Sequence, residues 1–275
     1  MRIVTWNVNS IRARHPRVLA WLTSHRPDVV ALQETKCTDI AFAELAEDYA
    51  TLGYDWLHWG RDHWNGVAIL SRIGLRDGQR GFCGVSRPPY DEARLLTATC
   101  GHDTRAIRVS SVYVPNGREL DSPHYLSKLV WLERLRAEVA AVDTGLLLGD
   151  FNVAPADVDI YDPSRWRHRT HASPPERAAI GALLDGGLID VTRTHLPGPG
   201  VYTWWSYRPG QLESNRGLRI DLALAPHRSP IGSSACGSTP KSGGELGRRT
   251  TLRSWSTSTS DGAGADRDFS VAVPE

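Results

Sequence analysis

The sequence predicts an α/β protein built on more than one β-sheet, and three observations carry that expectation. In the first half of the 275 residues, short apolar runs with β propensity alternate with segments whose apolar residues return at helical spacing. In the second half strand-like runs dominate and helices are few. Two of the apolar runs, VSSVYVPNG (109–117) and LLLGDFNVAP (146–155), stop abruptly in polar residues and a proline, as core strands do when they open into loops.

Taken in order, RIVTWNVN (2–9) reads as a strand that ends in asparagine and serine. Val18, Leu19, Trp21 and Leu22 suit one face of a helix over residues 14–25, stopped by Pro27. DVVALQE (28–34) is a short apolar strand, residues 40–52 a helix, and residues 54–59 a strand. Asn65-Gly66 opens the strand VAIL (67–70), and further strands are expected over 95–100 and 107–114. The clearest helix covers 126–142, where Leu126, Leu129, Val130, Leu132, Leu135 and Val139 share a face, and it leads into the strand LLLGD. A helix over 176–184 stops at Gly186-Gly187 before LIDV, and strands over 202–207 and 218–225 follow. One domain is expected over residues 1–228. Residues 229–265 are rich in Ser, Thr and Gly and read as a flexible or irregular segment, with a possible terminal strand inside 266–275.

Bulk properties exclude several classes. Apolar residues make up 40% and charged residues 23%, as in ordinary globular proteins. The four cysteines (37, 83, 100, 236) show no CxxC or Cys-His spacing, so neither a disulfide framework nor a zinc cluster is expected. No apolar run is long enough for a signal peptide or membrane span, and a cytoplasmic setting is the default expectation. A net charge of +1 neither announces nor excludes a nucleic-acid partner, because binding depends on where charges cluster. Ten tryptophans are many, and Trp56, Trp59, Trp64, Trp204 and Trp205 sit in polar company that suits a surface or cleft.

The strand ends carry the chemistry. Asn7 and Asn9 follow the first strand, Glu34 the second, and Asp150 and Asn152 the middle one, while Asp221 begins or interrupts RIDLAL. An acid beside an apolar strand costs solvation energy unless it is paired or binds a cation, and ligands gather at strand ends in α/β sheets. Taken alone, Asp150 is equally well read as starting a turn and Asn152 as capping it. As a set they offer only oxygen ligands, which suit a hard cation such as Mg²⁺. No G-x-S-x-G nucleophile elbow and no P-loop is present.

These residues resemble the exonuclease III family of DNA-repair nucleases, within the endonuclease/exonuclease/phosphatase superfamily. The matching runs are WNVNSIRAR (6–14), PDVVALQETK (27–36), NGVAIL (65–70), YVPNG (113–117), LGDFNVAPADVDI (148–160), YTWWSYR (202–208) and NRGLRIDL (215–222). The resemblance implies a four-layer sandwich, two mixed β-sheets packed face to face and flanked by helices. It implies Mg²⁺- or Mn²⁺-dependent hydrolysis of double-stranded DNA, 5′ to abasic sites and at 3′ ends; a monomer without membrane contact is the default expectation. Carried over by residue, Glu34 is implied as the principal metal ligand, with Asn7 as ligand or orienting amide. Tyr113 touches the scissile phosphate, Asp150 positions or deprotonates the attacking water, Asn152 contacts the phosphate, and Asp221 orients a histidine. Trp204 and Trp205 match an aromatic loop at the abasic site, and Asn9, Lys36, Arg94 and Arg118 are candidate DNA contacts.

One family feature is missing. The family's terminal Ser-Asp-His-Ala-Pro run, with its catalytic histidine, has ADRDFSVAV (265–273) as its nearest counterpart. Asp268 falls at the aspartate position, a candidate metal ligand, and Phe269 where the histidine belongs. Phenylalanine neither accepts a proton nor hydrogen-bonds a phosphate. Two origins fit the altered tail: natural divergence, or a shift of reading frame near Pro226. His227 is expected at the far end of the strand that begins at Asp221, and nothing selects among His58, His168, His171 and His195 as a substitute. The alternative function is a catalytically weak or inactive DNA-binding homologue.

Overall fold

Burial with a period of two separates the layers of this molecule. The computed structural model describes residues 1–85, 87–141 and 145–227. Its first half comprises β1 (Ile3–Asn7), α1 (Ile11–His25), β2 (Val29–Gln33), α2 (Asp39–Thr51), β3 (Asp55–Trp59), β4 (Val67–Ser71), β5 (Leu75–Arg80) and β6 (Leu95–Cys100). The second comprises β7 (Ile107–Tyr113), α3 (Pro123–Ala141), β8 (Leu146–Asp150), α4 (Pro163–Trp166), α5 (Pro174–Asp185), β9 (Leu188–Asp190), α6 (Val191–His195), β10 (Trp204–Trp205), β11 (Gly217–Leu218) and β12 (Asp221–Pro226). A four-stranded sheet runs β1-β2-β4-β3 and a six-stranded sheet β5-β6-β7-β8-β12-β9. Both are mixed: β1–β2 and β7–β8 pair parallel, the other ladders antiparallel.

Alternate residues of each strand face different layers. Ile3, Val29, Ala31, Val67 and Ile69 of the smaller sheet pack against Leu96, Ala98, Val109, Leu146, Leu148 and Ala223 of the larger one. Their sequence neighbours Val4, Trp6, Val30, Leu32, Ala68 and Leu70 face outward, under Val18, Trp21 and Leu22 of α1 and Phe42 and Tyr49 of α2. On the far side Leu95, Val112, Leu147, Leu222 and Leu224 lie beneath Trp131, Leu132 and Leu135 of α3 and Ile180 and Leu183 of α5. The result is the expected four-layer sandwich, with two sheets face to face between helices. Among the described residues no helix is long and apolar enough to cross a membrane.

Several expectations are corrected. β5, LRDGQR, has no apolar alternation and was not foreseen; it is a mostly exposed edge strand, bulged between Arg76 and Gln79, that exists because β6 offers it a ladder. The strand expected over 202–207 contracts to Trp204–Trp205, and the one expected over 218–225 divides. At the division the Arg219 N–H bonds to the Asp159 carbonyl and the Ile220 N–H to Thr203 Oγ1, so the backbone leaves the ladder for two residues. α1 starts earlier than expected because Ser10 caps it, accepting from the Ala13 N–H at 3.4 Å. On α3, Leu126 and Val130 are exposed, and the buried stripe instead runs through Tyr125, Lys128, Trp131, Leu132 and Leu135. Trp59 is core between the sheets, whereas Trp64 is exposed. The segment over 229–265, the strand expected inside 266–275, Asp268 and Phe269 lie outside the described residues.

Candidate active site

Pairing register brings the polar strand ends to one edge of the sandwich. In the larger sheet Tyr113 ends β7 opposite Asp150 at the end of parallel β8, and Asp150 in turn stands opposite Asp221 at the start of antiparallel β12. In the smaller sheet Asn7 ends β1 opposite Gln33, with Glu34 directly after it. Asn7 then joins the two sheets: its Nδ2 donates to Glu34 Oε1 at 2.8 Å and to Asp150 Oδ2 at 2.9 Å. Its Oδ1 accepts the Asn9 N–H at 3.0 Å, so the amide is an orienting group between two carboxylates.

The approach to β8 explains the glycine of LGD. At Gly149 φ is +151°, and a Cβ there would lie 1.9 Å from the Val112 carbonyl oxygen of β7. Beyond β8 the chain turns: Asn152 adopts φ +52° and its N–H bonds to Asp150 Oδ1 at 2.8 Å. Asp150 and Asn152 therefore reach the same cavity through a tight turn rather than through continued strand alternation. The Asn152 side chain is held from both sides, Nδ2 donating to the Val114 carbonyl at 2.9 Å and Oδ1 accepting from Asn116 Nδ2 at 3.2 Å. Glu34, Lys36 and Asn9 also lie at positive φ, the local strain that clusters where side chains must be aimed at a ligand.

Asn7, Asn9, Glu34, Asp150, Asn152, Trp204, Trp205 and Asp221 line one cavity of about 890 Å³. Tyr113 stands beside it, hydrogen-bonded to Glu34, with the Arg94 guanidinium 4.7 Å over its ring. Lys36 Nζ lies 2.6 Å from Glu34 Oε2. Arg118 is different: its side chain is exposed on the loop after β7 and does not line the cavity, although its N–H bonds to Asn116 Oδ1. His227 lies at the far end of β12, its N–H bonded to the Gly187 carbonyl at 2.8 Å. Asn116 and His171 are among the cavity residues that went unassigned in the sequence. Asn116 sits inside the YVPNG motif, and His171 carries no local signal because its place depends on tertiary packing.

Crowded acids give the cavity its electrostatic character. Burial, then the negative charge of Glu34, pushes the Asp150 carboxyl up to about 7. Burial and the charge of Asp150 push Asp221 well above the carboxylate range. Thr203 Oγ1 accepts the Asp221 N–H at 3.0 Å, and Asp221 Oδ1 is buried without a partner among the described residues. Burial, then Glu34, pushes the Tyr113 phenol up, so it stays a donor. Among the described residues no group of three or more His, Cys, Asp or Glu side chains is arranged to hold a metal by itself.

Beneath the cavity lies a buried ion pair. Lys128 of α3, fully buried, bonds Glu176 of α5, the Asn152 carbonyl at 2.7 Å and the Asn116 carbonyl at 3.2 Å. Glu176 also accepts from Thr170 Oγ1, the His171 N–H and the Ser173 N–H and Oγ. Replacing Lys128 by methionine leaves a buried carboxylate and two carbonyls under-satisfied. A loss of about 3–5 kcal/mol in urea denaturation is expected, and the double replacement K128M/E176M should not recover it, because the buried His171 and Ser173 N–H groups then lose their acceptor.

The comparisons with known proteins agree with this architecture. The family model described as "Endonuclease/Exonuclease/phosphatase family" matches residues 4–260. An exodeoxyribonuclease of Bacillus subtilis (strain 168) is 31% identical over 229 residues, covering 80% of this chain and 86% of its own. Among solved structures, an AP endonuclease from Archaeoglobus fulgidus superposes with a TM-score of 0.78 at 34% identity, covering 86% of this chain and 91% of that one. A 3′ phosphatase from Neisseria bound to a product DNA hairpin superposes with a TM-score of 0.75 at 37% identity, covering 81% and 86%. Matches that extend through both sheets and every strand end described above place the chain in the endonuclease/exonuclease/phosphatase family, on its exonuclease III branch.

Proposed function

We propose that this protein is a divalent-metal-dependent phosphodiester hydrolase that incises DNA on the 5′ side of abasic sites and removes nucleotides or blocking groups at 3′ ends. The observation that carries the reading is the convergence of Glu34, Asp150 and Asp221, from both sheets, on one cavity walled by Trp204 and Trp205. The names of its relatives, an exodeoxyribonuclease, an AP endonuclease and a 3′ phosphatase bound to DNA, point the same way. We take the working unit to be a monomer.

The donor set fits Mg²⁺ or Mn²⁺. All its candidate ligands are oxygens, and Mg²⁺ takes one or two carboxylates with waters and substrate phosphate rather than a complete protein cage. Glu34 would hold the ion with Asn7 orienting it, in place of the Lys36 ammonium that now neutralises Glu34. When bound, the ion supplies positive charge to the phosphate oxygens. Tyr113 offers its phenolic proton to a phosphate oxygen. Asn152 has one Nδ2 hydrogen left after bonding Val114, available to the charge that develops on the phosphate. Asp150, with its carboxyl poised near neutrality, accepts the proton of the attacking water. Lys36 and Arg94 contribute phosphate contacts without base preference, and Trp204 and Trp205 wall the space for a sugar that has lost its base.

A thermal measurement tests the ion without reading activity. Asp150 holds a proton in the folded protein between about pH 4 and 7 that the unfolded chain has already released, so this group makes the ion-free protein less stable as pH rises through that window. Added Mg²⁺ is therefore expected to raise Tm at pH 8, by about 5 °C at a hundredfold excess over its dissociation constant. It should raise Tm much less at pH 5, and not at all in Glu34→Gln. For the reaction itself, duplexes labelled at either end should show a nick immediately 5′ to the lesion. Cleavage on the 3′ side, or at undamaged positions equally, would contradict the assignment.

A further inference from the structure

His58 of β3 does not line the cavity, yet hydrogen bonds join it to the segment that carries Glu34. It is 1% exposed, and its ring lies flat against Phe42 of α2, with centroids 4.1 Å apart and planes 5° from parallel. Asp39, at the start of α2, accepts from Nδ1 at 2.8 Å and from the Gly60 N–H at 2.9 Å. A carboxylate only accepts, so Nδ1 carries the proton and Nε2 of the neutral ring is an acceptor. Burial, against the pull of Asp39, pushes the imidazole pKa down to about 4, so the ring stays uncharged at neutral pH. The buried Thr35 hydroxyl donates to Nε2 at 2.8 Å, well inside the 4.0 Å of the Cys37 sulfur. Arg80 of β5 holds the outer end, 3.0 Å from Asp39 Oδ2 and donating to the His58 carbonyl at 2.7 Å.

Thr35 stands between Glu34 and Lys36, and both neighbours are at positive φ, +52° and +50°. Residues with a Cβ keep that conformation only where their surroundings impose it. The backbone supplies part of the hold: the Thr35 and Lys36 N–H groups bond to the Gly66 and Asn65 carbonyls at 3.1 and 2.9 Å. The Thr35 carbonyl accepts the Ile11 N–H at 2.9 Å. The Thr35 hydroxyl supplies the rest, pressed under Gly66, where an added Cβ would lie 2.1 Å from Oγ1. Lys36 Nζ now steadies Glu34 Oε2 but gives it up when a cation is bound, which leaves Asn7 and the backbone to aim the carboxylate. Groups behind a metal ligand fix its attitude and tune its affinity. We propose that His58 is a positioning residue for the cation: through the Thr35 hydroxyl it fixes the turn from which Glu34 reaches the ion.

The inference rests on the reading of Glu34 as the cation's ligand, and a titration with Mn²⁺ alone separates the two. Loss of the free-ion electron paramagnetic resonance signal reports binding to the full-length protein, without DNA and without turnover. Glu34→Gln should abolish that binding. Thr35→Val keeps the shape and removes the hydroxyl, and should weaken Mn²⁺ binding about threefold to tenfold, the range of one neutral hydrogen bond. Thr35→Ser keeps the hydroxyl and should bind as the unaltered protein does. His58→Phe keeps a flat ring against Phe42 and should weaken binding as Thr35→Val does. The two changes together should weaken it no more than either alone, because they break the same bond, whereas independent losses of packing would add. Unaltered Mn²⁺ affinity in Thr35→Val or His58→Phe, additive losses in the pair, or a Thr35→Ser as weak as Thr35→Val overturns the role of His58 and leaves Glu34 as the ligand. Should one variant not fold, the affinities of the others decide. Mn²⁺ binding that survives Glu34→Gln unchanged overturns the reading of Glu34, and this inference with it.

Discussion

Replacing Asp150 with asparagine is expected to lower the rate of incision about 10²- to 10⁴-fold while leaving the protein folded and able to bind abasic duplex. The side chain keeps its shape, and an amide oxygen can still accept the Asn152 N–H that now bonds Oδ1 at 2.8 Å. What disappears is a cavity carboxyl whose pKa, near 7, suits it to take a proton at neutral pH. Removing it also relieves repulsion with Glu34 and Asp221, which offsets the lost Asn7 Nδ2 bond to Oδ2, so Tm in the absence of metal should change little. Single-turnover kinetics and a thermal melt together check the claim. A variant with near-normal turnover would remove Asp150 from its assigned role.

Gly149→Ala is expected to be among the most damaging single changes in the chain, for a reason that has nothing to do with charge. An added Cβ would meet the Val112 carbonyl oxygen at 1.9 Å and further backbone atoms of Val112 inside 3 Å, at a φ of +151° that side chains rarely adopt. No flexible side chain is there to move aside. Either β8 separates from β7 or both shift, and each outcome displaces Asp150 from Tyr113 and Asp221. A loss of about 4 kcal/mol or more, or no folded protein, is the expected result. Gly181 in α5 provides the contrast. Nothing lies within 4 Å of its added Cβ, so Gly181→Ala should stabilise by about 0.5–1 kcal/mol in the same urea titration.

The two glycines also show how far a sequence can be read. Sheet assignment was legible because β1, β2, β4 and β8 are mostly apolar runs too short for helices, the pattern of strands covered on both faces. β5 was not legible, since its residues are mostly exposed and its partner β6 makes the strand. The division between β11 and β12 was hidden for a similar reason: Arg219 looks like a strand residue, but its guanidinium is buried against Asp159 and Asp190 and its N–H leaves the ladder.

For the site, the strand-end acids and amides were visible because each interrupts an apolar run. The structure brings Asn7, Asn9, Glu34, Asp150, Asn152 and Asp221 to one cavity, with Tyr113 and Lys36 on Glu34. Arg118 had only its charge to recommend it and stays outside. His171 lies far in sequence from the Asn152 carbonyl it bonds, and only the fold joins them. Asp221, which the resemblance casts as orienting a histidine, lines the cavity with one oxygen buried without a partner among the described residues, and the family's histidine-bearing run is missing from the sequence.

That vacancy in the pattern makes turnover the question on which the account stands. The direct measurement is nicking of a duplex containing a single tetrahydrofuran abasic analogue by the purified full-length chain, with Mg²⁺ and then with EDTA. The account predicts a cut on the 5′ side of the analogue with Mg²⁺, none with EDTA, and none above background in Glu34→Gln. A duplex that is retained by the protein but left uncut in Mg²⁺ would contradict it, and would assign the chain to DNA binding without catalysis.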